Sequence, residues 1–345
     1  MILHIAFPEK FFNDYIDFVN DNFEVDRHTF FFLKKGKNSK TAPNVVFSRY
    51  YRFGVLFYIE LLIYMLKADK VVLHSLSKWS VIRFLFFFPW LARKCYWYLW
   101  GADLYYNIVE KGSLKYYYFR NIAYRKVVRN LGCIVSNRGD YQIVKDEFNT
   151  QAEHLESFLY PSNLFKNIDI SAPVKDEIWI QVGNSADPSN NHLEAIDWIK
   201  TLNLPRYKVV CPLSYGNAKH AELVKQYGQE QLGESFIPLT TFMNLDEYVK
   251  LLSKIDVAIF NHKRQQAVGN IVTLLGFGKS VYIREDVTTT ELLERVGVKL
   301  FPIGRDGITS IELLTPDEKE RNIAKIKEFF SKEMLILQSK KIFGD

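Results

Sequence analysis

Residues 177–199 constrain the fold of this chain more than any other stretch. Glu177-Ile178-Trp179-Ile180-Gln181-Val182 reads as a buried strand, and His192-Leu193-Glu194-Ala195-Ile196-Asp197-Trp198-Ile199 repeats its apolar residues at helical spacing. The polar turn Gly183-Asn184-Ser185-Ala186-Asp187-Pro188-Ser189-Asn190-Asn191 joins them. A strand that passes through such a turn into a helix leaves backbone N–H groups and a helix N-terminus available to an anion such as a diphosphate. The same residues also suit an ordinary junction capped by Asn and Ser.

The rest of the chain repeats the alternation of strand and helix, which argues for α/β layers around parallel sheets. Strands are predicted over 2–6, 30–34, 45–47, 70–73, 94–99 and 133–136, and helices over 9–22, 53–67, 80–91, 114–128 and 138–147. Periodicity then fades through Tyr160-Pro161-Ser162-Asn163 and Ser171-Ala172-Pro173, so a connector is expected at about 160–175. A second series follows, with strands over 178–182, 207–212, 234–237, 257–260, 281–283 and 300–301 and helices over 192–200, 218–232, 245–254, 267–276 and 289–296. The expected fold is two doubly wound, Rossmann-like domains facing a cleft. Residues 1–165 and 175–314 would form the domains, and 315–345 a capped helix with a basic tail. Ligands in such sheets bind beyond the carboxyl ends of the strands.

At 345 residues the chain has ample material for two cores. Its net charge of +6 suits an anionic partner, whether a nucleotide, a phosphate-bearing lipid or an anionic membrane face. No zinc-finger or RNA-binding motif accompanies that charge, so nucleic acid is not an expected partner. Cys95, Cys133 and Cys211 lie far apart beside apolar residues and read as reduced, buried thiols. The apolar run Val81–Ala92 contains Arg83 and Pro89 and is too short to span a bilayer. With no signal-peptide pattern at the start, the expected location is the cytoplasmic side of a membrane. The segment 79–94, apolar on more than one side and flanked by basic residues, suits a membrane interface or the inside of the first domain equally well.

Several strand ends carry candidate chemistry. Asp103 in Trp100-Gly101-Ala102-Asp103-Leu104-Tyr105 could act as general base on a sugar hydroxyl, or cap the following segment. His74, after Val71-Val72-Leu73, is a reserve base, whereas His4 inside an apolar strand reads as a core residue. In Ser136-Asn137-Arg138-Gly139-Asp140, Arg138 can bind phosphate or pair with Asp140. In the loop 261–270, Lys263 and Arg264 offer charge, Gln265, Gln266 and Asn270 offer amides, and Gly269 permits close backbone approach. Together with Gly183, Asn184, Ser185 and Asn191 these would clamp a diphosphate, with Tyr215 stacked on a base.

Trp100-Gly101-Ala102-Asp103-Leu104-Tyr105, Arg138-Gly139-Asp140, Val182-Gly183-Asn184-Ser185 with Asn191-His192, and Arg264-Gln265-Gln266 with Gly269 resemble glycosyltransferase family 56 over roughly residues 70 to 285. The resemblance implies a GT-B fold and transfer of 4-acetamido-4,6-dideoxygalactose (N-acetylfucosamine) from a dTDP-sugar. It implies an acceptor glycan on undecaprenyl diphosphate at the inner face of the bacterial inner membrane, as in enterobacterial common antigen or O-antigen synthesis. It implies no metal cofactor, and an acceptor side formed by Trp100, Tyr105, Arg138 and Asp140. Other sugar-nucleotide chemistry on the same fold, a UDP- or GDP-sugar transferase or an epimerase, and a non-catalytic glycan-binding protein at the membrane, remain alternatives.

Overall fold

The computed structural model describes residues 1–9, 11–36, 39–109, 116–166 and 176–344. The expected connector at 160–175 therefore lies largely outside the described residues. Two compact units result: Met1–Ser162 with Lys332–Asp345, and Asn163–Ser331.

The first unit runs β1 (Ile2–Ala6), α1 (Phe12–Asn22), β2 (His28–Phe32), β3 (Val45–Phe47), α2 (Val55–Lys67), β4 (Lys70–His74), α3 (Trp79–Phe87), α4 (Pro89–Ala92), β5 (Cys95–Tyr98), α5 (Ala102–Val109), α6 (Tyr116–Asn130), β6 (Cys133–Ser136), α7 (Arg138–Phe148) and β7 (Glu153–Glu156). The second runs β8 (Ile178–Val182), α8 (His192–Thr201), β9 (Tyr207–Pro212), α9 (Ala218–Leu232), β10 (Phe236–Leu239), α10 (Leu245–Lys254), β11 (Val257–Phe260), α11 (Val268–Gly276), β12 (Ser280–Arg284), α12 (Thr288–Val296), β13 (Phe301–Ile303) and α13 (Pro316–Phe329), before α14 (Lys332–Phe343) returns to the first unit.

Both sheets are parallel, in the orders β3-β2-β1-β4-β5-β6-β7 and β10-β9-β8-β11-β12-β13. Central strands such as Ile2–Ala6 and Val257–Phe260 are buried throughout, because helices cover a parallel sheet on both faces. Strand order reverses between β1 and β4 and between β8 and β11, the points where such sheets open a crevice at their carboxyl ends. The cores form around Leu3, Phe31, Leu61, Val71 and Trp97 in one unit and Ile180, Val209, Val257 and Ile259 in the other.

Several elements differ from expectation: α5 was not expected, and β2 lies two residues earlier than read. β7 was not expected, because Glu153-His154-Leu155-Glu156 is a polar strand at the sheet edge with one paired side. β10 sits two residues later than read. Pro89 divides the helix expected over 80–91 into α3 and α4, because its ring cannot continue the α3 hydrogen-bond ladder. The final helix is two, α13 and α14. The second seats Phe343 edge-on to His4 and His28, and Gln338 accepts from the Phe158 backbone N–H at 3.2 Å. All three cysteines are free and buried.

Candidate active site

In the second unit, β8 ends at Val182 and the chain turns at Gly183 with φ +67°. A Cβ there would lie 2.7 Å from His192 Nε2 and 3.0 Å from Asn190 Oδ1, so the turn needs glycine on two counts. Asn190, fully buried, holds the turn from inside. Its Oδ1 accepts from Asn184 N at 3.3 Å, and its Nδ2 donates to the carbonyls of Ser185 and Asp187 at 3.0 and 3.1 Å. Asp187 accepts from Ser189 N at 2.9 Å, and Asn191 in the left-handed region leads into α8.

The loop after β11 closes onto this turn. Gln266 donates through Nε2 to Asn184 Oδ1 at 2.8 Å and accepts through Oε1 from Ser189 Oγ at 2.7 Å. Asn191 Nδ2 donates to the Asn261 carbonyl at 2.7 Å, and Arg264 Nη2 reaches Asp187 Oδ2 at 3.2 Å. Burial would raise the Asp187 carboxyl, but bonds from Ser189 and the Arg264 charge outweigh it and hold the group below its usual value. The expected convergence of the two turns is thus present, on adjacent strands at the switch point. Ala267, at φ +62°, marks the start of α11, a strained conformation for a residue with a Cβ.

Beside this bridge lies a cavity of about 190 Å³, lined by Asn184, Tyr215, Leu239, Phe242, Tyr248 and Asn270 among others. Asn184 Nδ2 donates to the Tyr215 hydroxyl at 3.1 Å, and Tyr248 donates to Asn270 Oδ1 at 2.5 Å. Of the expected nucleotide-binding residues, Gly183, Asn184, Ser185, Asn191, Tyr215, Arg264, Gln266 and Asn270 belong to this bonded assembly. Gly269 lies in the first turn of α11, and Gln265 contributes only its carbonyl, 3.4 Å from Arg264 Nη1. Sequence reasoning missed Asp187, Asn190, Phe242 and Tyr248. The first two stood in the quoted turn, where their polarity read as loop chemistry. The last two follow β10, whose misplaced end hid them. His262 was also missed: it is buried, neither ring nitrogen has a hydrogen-bond partner among the described residues, and burial lowers it to about 4.

The first unit departs from expectation. Asp103 is buried, and its carboxylate accepts from Leu76 N and Trp97 Nε1 at 2.8 Å each and from Trp100 N at 3.0 Å. Burial raises its carboxyl while those donors act against the rise. A carboxylate so occupied ties the end of β5 to the turn after β4. His74 is buried and bonded as well. Burial lowers it to about 3, and its ring nitrogens meet Tyr160 Oη at 2.7 Å and His4 Nδ1 at 3.0 Å. His4 Nε2 continues to His28 Nδ1 at 2.9 Å, and Trp100 Nε1 donates to Tyr160 Oη at 2.8 Å. Consistent neutral tautomers run from Trp100 through Tyr160, His74 and His4 to His28. Asp140 is bonded by Tyr105 Oη at 3.0 Å and Asn137 Nδ2 at 2.8 Å, and Asn137 rather than Asp140 caps α7. Arg138 is exposed, and no bond to Asp140 is formed by it among the described residues. No group of three or more His, Cys, Asp or Glu able to hold a metal ion occurs among the described residues.

A family described as 4-alpha-L-fucosyltransferase glycosyl transferase group 56 matches residues 10–306. Among solved structures, Anabaena HepE in complex with UDP and glucose is similar at a TM-score of 0.70 and 13% identity, over 99% of this chain and 99% of that one. Sucrose-phosphate synthase from Thermosynechococcus elongatus reaches 0.67 at 10% identity, covering 99% of this chain and 98% of its own. WaaG, a glycosyltransferase involved in lipopolysaccharide biosynthesis, reaches 0.59 at 9%, covering 100% and 94%. At such identities the likeness concerns the fold, which is the two-domain GT-B fold of glycosyltransferases.

Proposed function

The chain belongs to glycosyl transferase group 56, the 4-alpha-L-fucosyltransferase family, and from that premise we propose that it moves 4-acetamido-4,6-dideoxygalactose from a dTDP-sugar to a glycan carried on polyprenyl diphosphate. That the protein is a glycosyltransferase follows from its family; the donor, the acceptor and the roles of residues are our reading. The observation that carries it is the Gln266 bridge, which fixes the turn after β8 against the loop after β11 with Arg264 alongside.

The donor diphosphate would lie over this bridge, near the N-termini of α8 and α11. Charge grows on the leaving diphosphate as the glycosidic bond breaks, and preorganised donors at that point lower the barrier more than in water. Arg264 would exchange Asp187 for a phosphate oxygen, with Lys263 adding charge. That counter-charge needs no metal ion, and we read the reaction as metal-independent. The base would enter the cavity beside Asn184, against the exposed rings of Tyr215 and Phe242. In the first unit Asp103 would act as a positioning residue for the loops that present the acceptor, with Trp100 and the exposed Arg138 as contacts.

A panel of dTDP, UDP and GDP in a thermal-shift assay, followed by transfer from the dTDP-sugar to extracted lipid-linked glycan, tests the reading. Stabilisation by dTDP and sugar transfer are expected. Preferential stabilisation by UDP would instead favour a UDP-sugar donor, the second reading, which the likeness to UDP-bound HepE supports.

A further inference from the structure

Helix α2 buries one face and leaves the other bare. Phe57, Leu61 and Met65 point into the core at 0–2% exposure, while Val55, Leu56, Ile59, Ile63 and Leu66 are 73%, 49%, 49%, 48% and 60% exposed. Those five share one face at helical spacing, so the bare side is a continuous apolar stripe. A stripe of large aliphatic side chains in water costs free energy and marks a surface that meets something apolar.

The neighbours extend it. Tyr58 stacks on Phe84 of α3, and Arg83 donates to the Tyr58 hydroxyl at 2.8 Å. Phe119 of α6 meets Trp79 and Phe86 of α3 edge-on. The three helices therefore lie side by side, and Phe87, Trp90, Phe119 and Ile122 are exposed along them. Segments 48–67, 79–94 and 116–130 carry ten Lys and Arg against one acidic residue, Glu60, whereas the whole chain has an excess of only six. Glu60 is itself held by Ser48 Oγ at 2.6 Å and Arg49 N at 3.3 Å.

From this pairing of a bare aliphatic stripe with a concentrated cationic frame, we infer that the α2 face docks the protein on an anionic lipid leaflet. The stripe enters the acyl boundary, and Arg49, Arg52, Lys67 and Arg83 meet lipid phosphates around it. A second copy is a poorer occupant, since a symmetric contact would press the same positive frame against itself. No helix among the described residues is long and apolar enough to cross a membrane, so the contact is with one leaflet. The surface suits a lipid-linked acceptor, but the inference stands on exposure and charge without it. The sequence left segment 79–94 equally suited to a membrane interface and to the inside of the first domain. In the fold Val81, Ile82, Phe84 and Leu85 of that segment are core, and only residues such as Phe87 and Trp90 face outward.

The test is flotation of the full chain with vesicles containing about a quarter phosphatidylglycerol in phosphatidylethanolamine, against phosphatidylcholine vesicles, at low and high salt. The parent should float with the anionic vesicles at low salt and be released at high salt. Ile59→Ser with Ile63→Ser should abolish flotation, and Arg52→Gln with Lys67→Gln should weaken it roughly 30-fold at low salt. Transfer to a water-soluble acceptor glycan should be unchanged in all four substitutions, which separates failure of docking from failure of the catalytic reading. Equal flotation of parent and variants, or flotation indifferent to phosphatidylglycerol, would overturn the inference. So would a parent that ignores vesicles but forms a dimer lost on Ile59→Ser with Ile63→Ser.

Discussion

The two units follow the same strand order outward from their switch points, yet they use polar groups at the carboxyl edge in opposite ways. In the first, Trp100, Tyr160, His74, His4 and His28 form a linear, largely buried chain, and Asp103 spends its oxygens on three N–H donors within the fold. In the second, the bonds run between loops that are half-open to solvent, and Arg264 is held by a carboxylate that is itself 41% exposed. A buried network stabilises and cannot readily exchange partners. An open one costs little to rearrange, because a half-exposed ion pair contributes about 1 kcal/mol or less. In the reading proposed above, equivalent places in one fold serve rigidity in one unit and ligand exchange in the other.

Arg264→Ala is the largest expected effect on chemistry. If the open network neutralises the leaving diphosphate, kcat should fall about 10²–10³-fold, the usual loss when one preorganised donor is removed. The melting temperature should barely move. Turnover at the parental rate would end the assignment. Asp103→Leu should show the reverse pattern: each buried N–H left without its acceptor costs about 1–3 kcal/mol, so three should cost several. Urea unfolding would show that loss while dTDP affinity, measured on the folded fraction, stays near the parent's. A stable Asp103→Leu protein with no activity would return Asp103 to the chemistry.

Acid separates the units less sharply, since buried histidines occur in both. Burial holds His74 at about 3 and His192 and His262 at about 4, so the folded protein keeps them neutral. The unfolded chain protonates them below about 6.5. Their stabilisation is therefore complete above that pH and is lost as pH falls toward the folded values, at up to about 1.4 kcal/mol per pH unit for each histidine. Urea midpoints between pH 7.5 and 5 should fall accordingly. His74→Phe should flatten the slope by one histidine's share; an unchanged slope would show that His74 titrates normally.

Much of this was legible in the residues. Val257–Phe260 is a continuous apolar run and Ile178–Val182 is interrupted only by Gln181, and both lead into polar turns, so strands and switch-point loops could be placed, and proximity of the loops followed from adjacency of the strands. The bonds between Gln266 and Asn184 were not legible, because loop register depends on Asn190 packing inside the turn. The surroundings of Asp103 were not legible for a physical reason: a carboxylate after a strand looks the same in sequence whether it faces solvent or accepts from Trp97 behind it. The bare face of α2 was not legible either: in an almost wholly apolar helix, only the sheet beneath it decides that Phe57 is covered and Ile59 is not.

The smallest effect sharpens the comparison most. Tyr248 donates a hydrogen bond to Asn270 Oδ1 in the first turn of α11, at one wall of the cavity. Both line the cavity proposed for the base, and together they would set where the base sits. Removing the hydroxyl in Tyr248→Phe forfeits a hydrogen bond worth about 1 kcal/mol and keeps the ring. Binding of substrate and transition state should suffer alike, so the donor KM should rise about fivefold with kcat unchanged. A fall in kcat instead would mean that α11 moves with Asn270 during reaction, and that the open network extends into the base cavity rather than ending at Gln266.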